Sequence, residues 1–177
     1  MIVSKQFLDH FLEVCNPRIP EVVLYSSFLI TVVFLLLGLN LKGVRNKERF
    51  LLWVLLLEYV FLVISSTIVF RSPRSPVRIE LIPFWTYYAI ANHIFGVSIW
   101  DILLNIVLFV PFGVLVSLLF PSLSFMKVLL LGFALSFCIE LSQYIMAKGI
   151  AQFDDLMHNS LGCYLGSCIV RMIKRKR

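Results

Sequence analysis

The residues that could do chemistry lie in the second half of the chain. The run "AQFDDLMHNSLGCYLG" (151–166) carries Asp154, Asp155, His158 and Asn159. Upstream, Asp101 and Asn105 are four apart and Glu140 and Gln143 three apart, so each pair shares one face of a helix. Asp155 and Asn159 repeat the four-residue spacing. Carboxyls so placed suit general acid–base work or the holding of a cation, and amides beside them suit hydrogen bonding to a ligand. Arg78, in the loop before Asp101, would set positive charge over them, as a phosphate or carboxylate requires. Asp154 and His158 have the one-turn spacing of a metal-binding pair, but no third ligand is assured, so neither a metal nor another cofactor is expected. Simpler roles compete with these. Asp101 and Asp155 open helical runs, where a carboxylate caps the helix and favours its dipole. Glu140 could be a hydrogen-bonded structural carboxyl.

The segments that must position these groups are too apolar for a soluble domain. Of 177 residues, 60% are apolar, and the mean hydropathy is +0.93. Five runs read as transmembrane helices: 22–41, 50–70, 103–120, 125–147 and the shorter 156–173. Before them, Val3, Phe7, Leu8, Phe11, Leu12 and Val14 fall on one side of a helix over residues 2–15, which predicts an amphipathic helix lying in the interface. The expected fold is therefore an all-α membrane protein, a bundle of five transmembrane helices with an N-terminal amphipathic interfacial helix. It divides into the interfacial helix (1–21), two N-terminal spans (22–70), a three-span core with a polar pocket (71–173) and a basic tail (174–177). No cleavable signal peptide is read in residues 1–21, which contain Asp9, Glu13 and Glu21 and lack an apolar core. With the C-terminus inside, ten of the 16 Lys and Arg fall on inner segments and six on outer ones, which puts the N-terminus outside and the C-terminus in the cytoplasm.

In that topology the strongly polar residues of the second half all arrive at the outer face. Ionisable groups within a membrane are costly and normally face a bundle interior or a wet cavity. Asp155, Asn159, Gly162 and Gly166 form one stripe, and Gly132, Ser136, Glu140 and Gln143 another. Gly162 and Gly166 have the spacing that lets helices approach closely, so spans four and five are expected to pack along these stripes beneath a polar pocket. Pro111 is expected to kink span three. Glu58 stands alone in the middle of span two, with no partner readable from the sequence. Trp85, Tyr87 and Tyr88 resemble an aromatic belt, and His10 and His93 read as interfacial. Cys15, Cys138, Cys163 and Cys168 show neither zinc-ribbon spacing nor a disulfide framework and read as packing residues. The net charge of +6 sits in short gaps between apolar runs, which argues against nucleic-acid binding.

Four segments in order, "RIELIPFWTY" (78–87), "NIVLFVPFGVL" (105–115), "IELSQ" (139–143) and "FDDLMHNSLGCYLG" (153–166), resemble the VanZ-like membrane proteins over about residues 70–170. Arg78, Pro83 and Phe84 match the loop motif, and Asn105, Phe109, Pro111 and Gly113 the third span. Glu140 and Gln143 match the fourth span, and Asp155, Asn159, Gly162 and Gly166 the fifth. Gln152 stands where many members carry an acidic residue. The resemblance implies a bacterial, Gram-positive plasma-membrane protein, since the family's named founder is linked to resistance against the glycopeptide teicoplanin.

Two functions remain open. In the first, the pocket binds a membrane lipid or a lipid-linked cell-wall precursor: Arg78 meets an anionic group, while Asp101, Asn105, Gln143 and Asn159 hydrogen-bond to it. In the second, the protein is an enzyme acting on an envelope lipid or precursor, with Glu140 as general acid or base, with Asp154 and Asp155 orienting it or holding a divalent ion, and with Arg78 stabilising developing negative charge. The chain has no Gly-rich phosphate loop and no recognisable nucleophile motif, and its spans show no inverted repeat of the kind transporters carry. Oligomeric state is not legible at this level.

Overall fold

The computed structural model describes residues 21–40, 46–71, 78–94 and 97–176. The amphipathic helix expected over residues 2–15 lies outside them. Among the described residues there are six helices: α1 (Glu21–Asn40), α2 (Lys47–Ile64), α3 (Trp85–Ala91), α4 (Ile99–Leu119), α5 (Phe125–Ile145) and α6 (Phe153–Arg175). A π-helical turn, Ser65–Val69, prolongs α2. Among the described residues, three helices are long and apolar enough to cross a membrane: Lys47–Val69 including that turn, α4 and α5. In α1 the described apolar stretch, Val23–Leu36, is shorter, and α6 is polar at both ends. Large apolar side chains point outward over much of the bundle; Phe28, Leu57 and Ile145 are 66%, 65% and 72% exposed, as suits a lipid-facing surface.

The buried core runs through α2, α4, α5 and α6, where Leu56, Val63, Phe109, Phe112, Val116, Val128, Ile139 and Cys163 pack together. The tightest pairing is between α4 and α6, and it corrects the expectation that Gly162 and Gly166 would meet span four. A Cβ on Gly162 would run into the backbone carbonyl of Ile106, and one on Gly166 into that of Val110, both on α4. Gly113 answers from the other side, against the backbone of Cys163. Small residues on both helices thus let two backbones touch, which a stripe on one helix alone would not reveal. The α5 stripe does meet α6, at Gly132 against the Cys163 side chain and at Ser136 against Asn159. α4 continues through Pro111 as one helix.

The fold is not purely helical. Arg78–Glu80 (β1) pairs in parallel with Ile150–Gln152 (β2), Arg78 opposite Ile150 and Glu80 opposite Gln152. This clip joins the loop before α3 to the segment that leads into α6. No hydrophobic periodicity marks strands of three residues, so the sequence carries no signal for it. Glu58 has a partner in the neighbouring helix: its carboxylate accepts a 2.8 Å bond from Thr31 of α1.

Gly162→Val and Gly166→Val should each drive a branched side chain into α4 backbone and cost about 1–3 kcal/mol or more. Thermal unfolding in detergent measures this. The lipid-side change Leu165→Val should leave the melting temperature within a degree or two of the parent, and equal melting of all three variants would contradict the packing described.

Candidate functional site

One end of the bundle collects the start of α4, the end of α5, the start of α6, the π turn and the β clip. Of the four carboxylates that α4, α5 and α6 bring there, two are committed to architecture. Asp154, buried to 2% exposure, accepts bonds of 2.7 Å from the backbone N–H of Phe84 on one oxygen and of Thr86 on the other. Phe84 lies in the left-handed region at φ 64°, a strained setting for a bulky residue, and the two bonds hold it there. Asp154 therefore fastens the loop entering α3 onto the first turn of α6. Asp101 accepts from the backbone N–H of Ser98 at 2.8 Å, which is its capping role at the start of α4.

The other two carboxylates face each other across α5 and α6. Glu140, 6% exposed, accepts a 3.1 Å bond from the backbone N–H of Gln152, at the end of β2. Asp155 accepts a 2.6 Å bond from the side-chain amide of Asn105, drawn from the first turns of α4. Glu140 and Asp155 lie within electrostatic reach of one another and of Arg71, and Asp101 and Asp154 add their negative charge around Asp155. Such a group of charges needs its cation close by. The cation is Arg71, just beyond the π turn, rather than Arg78, which is exposed on β1.

The amides line the same site. Gln143, 2% exposed, donates to the backbone carbonyl of Thr67 at 3.1 Å. That carbonyl belongs to the π turn, where Ser66 and Thr67 hydroxyls both bond back to the Val63 carbonyl, at 3.0 and 2.6 Å, and loosen the helical ladder. Gly149 leaves space between the two neighbouring side chains: a Cβ there would lie 2.8 Å from Gln143 Oε1 and 3.2 Å from Arg71 Cζ. One turn deeper, Asn159 donates to Ser136 Oγ at 2.8 Å and forms the floor between α5 and α6. Lys148 donates to the Val69 carbonyl at 2.8 Å at the rim.

The structure thus brings together Glu140, Asp155, Asn105, Gln143 and Asn159, places Asp101 and Asp154 beside them in capping and clamping roles, and sets Arg78 apart. Asp154 and His158 do not form a metal pair: Asp154 binds backbone, and His158 Nε2 meets the Tyr87 hydroxyl at 3.0 Å. Among the described residues no group of three or more His, Cys, Asp and Glu side chains is arranged to hold a metal ion. Sequence reasoning passed over Arg71, Thr67 and Tyr87. Arg71 stood among three arginines of one loop with nothing to distinguish it, and Tyr87 passed for a belt residue.

At the far end, Arg171 of α6 donates to the Leu123 carbonyl and lies 3.9 Å over the Phe125 ring, tying α6 to the turn between α4 and α5. The bundle is pinned at both ends, with Asp101, Glu140, Asp154 and Asp155 together at one of them.

A family model described as VanZ/LLP1 matches residues 49–174. Over 62 residues the chain is 32% identical to Protein VanZ of Enterococcus faecium, a stretch that covers 35% of this chain and 38% of that protein. The match thus spans well under half the length of the curated relative. No solved structure matches the chain.

Asp154→Ala should leave two backbone donors without an acceptor and cost about 3 kcal/mol. Asp154→Asn, which keeps one acceptor, should lose roughly half as much. Thermal unfolding gives both values, and limited proteolysis around Phe84–Tyr88 should be faster in the alanine variant. An unchanged cleavage rate would remove the clamp from the account.

Proposed function

The chain belongs to the VanZ/LLP1 family, and on that premise we propose that it is a multi-pass protein of a bacterial plasma membrane that alters glycopeptide susceptibility by holding a lipid-linked envelope component. The carrying observation is the Glu140–Asp155–Arg71 group, set at one end of an apolar bundle where charge is costly unless it is used. In this reading Arg71 meets the anionic part of a head group, and Arg78 and Lys148 draw it in from the rim. Asn105, Gln143 and Asn159 supply neutral hydrogen bonds, Asp155 accepts from donor groups of the ligand, and Gly162 and Gly166 keep the helices close. All five long helices cross the membrane, with the N-terminus outside, the polar end outward and the basic end of α6 in the cytoplasm. The envelope is of the Gram-positive type, and teicoplanin is the glycopeptide concerned.

A second reading is favoured by one feature, the pairing of buried Glu140 with half-buried Asp155 beside an arginine. Glu140 then acts as general acid or base with Asp155 opposite it, and Arg71 stabilises developing negative charge on a phosphate or ester of an envelope lipid or precursor.

Asp155→Asn, expressed at the same membrane level as the parent, should lose most of the change in teicoplanin susceptibility. Mass spectrometry of envelope lipids and cell-wall precursors separates the readings. Identical profiles with the parent and the variant support binding, whereas a species formed or consumed only by the parent supports catalysis. Full retention of the phenotype by both Asp155→Asn and Glu140→Gln would set aside both.

A further inference from the structure

The end of the bundle away from the carboxyl cluster gathers cations around one turn. The turn between α4 and α5 is closed by a 3.1 Å bond from the Leu123 N–H to the Phe120 carbonyl. Two helices reach it. Trp53 of α2 packs edge-on against Phe120 at 5.5 Å, and Arg171 of α6 bonds the Leu123 carbonyl and covers the Phe125 ring. Arg49 lies four residues before Trp53, and Lys174 and Arg175 lie three and four after Arg171. Each therefore stands on the helix face that meets the turn, one turn nearer the helix end. Arg171 is held by its contacts with the turn, whereas Arg49, Lys174 and Arg175 are exposed. Over residues 46–49, 120–127 and 171–176, seven Lys and Arg stand against one acid, Glu48.

The helices also fix the depth of this group. α5 is long and apolar enough to cross a membrane, and about 24 Å of its axis separates Lys127 in its first turn from Gln143 at the carboxyl cluster. The two ends of the bundle therefore lie near the opposite boundaries of a hydrocarbon layer about 30 Å thick. That puts the cations at the level of lipid phosphates. Positive charge beside a span also sets its orientation, but orientation does not require segments so far apart in the chain to bring their cations to one turn.

We propose that this turn is a binding site for an anionic phospholipid of the adjoining leaflet, its phosphate on Lys174 and Arg175, with Arg49 adding charge from the α2 side. A zwitterionic lipid such as phosphatidylethanolamine brings an ammonium that the same cations repel, whereas phosphatidylglycerol brings a phosphate and neutral hydroxyls. Exposed Ile169 and Ile173 of α6 offer an apolar side to the lipid chains. The site is independent of the ligand assigned above to the carboxyl cluster.

The test uses the whole protein in nanodiscs containing equal amounts of phosphatidylglycerol and phosphatidylethanolamine with the same acyl chains. Retained lipids are counted by native mass spectrometry after transfer to detergent. Lipid held at the carboxyl end is common to the parent and the variants, so their difference reports the turn alone. The parent should favour phosphatidylglycerol by about tenfold, and Arg49→Gln, Lys174→Gln and Arg175→Gln should each lower the preference by about two- to fivefold. The triple variant should show almost none, at an unchanged melting temperature, and Lys174→Arg should keep the parental value. Lys127 lies two residues from Phe125 and points to the opposite side of α5, so Lys127→Gln should change the preference least. Equal retention of the two lipids by the parent, or a parental preference in the triple variant, overturns the site. A loss in Lys127→Gln as large as in Arg175→Gln overturns it in favour of diffuse surface charge.

Discussion

Everything at the polar end depends on how closely α6 approaches α4. Gly113, Gly162 and Gly166 remove the side chains that would hold the two backbones apart. With the parallel helices in contact, Asn105 and Asp155 can meet at 2.6 Å, and Asp155 can be set opposite Glu140. A methyl group at either α6 glycine would push the carboxyl layer out of register before it touched any polar residue. In a membrane, where apolar surface gives helices little reason to choose one another, this backbone fit sets the alignment.

The carboxylates at that end divide by what their oxygens already hold. Asp154 and Asp101 accept from backbone N–H groups of the elements they join, and their charge is used to shape the loop and start a helix. Glu140 and Asp155 make contacts that leave them grouped around Arg71, on the border of α5, α6 and the π turn. Ser66 and Thr67 connect the two classes. By competing for the Val63 carbonyl they open the helix by one residue, and the displaced Thr67 carbonyl receives Gln143.

Much of this was legible before any coordinates. Apolar runs located the long helices to within a few residues, because the cost of unpaired backbone in lipid leaves a chain of this composition few options. Three- and four-residue spacings brought Asp101, Asn105, Glu140, Gln143, Asp155 and Asn159 to one end. What stayed hidden depended on partners far apart in the chain. Which helix the glycines meet is decided by Gly113 as much as by Gly162. Which arginine faces the acids is decided by where β1 begins, and Arg78 is spent on the strand. Glu58 looked solitary because its partner, Thr31, lies 27 residues away in α1. The β clip carries no pattern at all, since three paired residues are too few to show one.

The clip and the Asp154 clamp also impose an order on biosynthesis. Residues 78–86 find their partners in residues 150–154, about 70 positions later. While the chain emerges from the ribosome, α4 and α5 enter the membrane with this loop still unanchored and with the Asn105 amide and the Glu140 carboxyl lacking the partners that α6 brings. Only when α6 arrives do Asp154, Asp155 and the Gln152 N–H come together. Of the described helices, α6 is therefore the one that completes the site, and a chain released before it is made has α4 and α5 but no site.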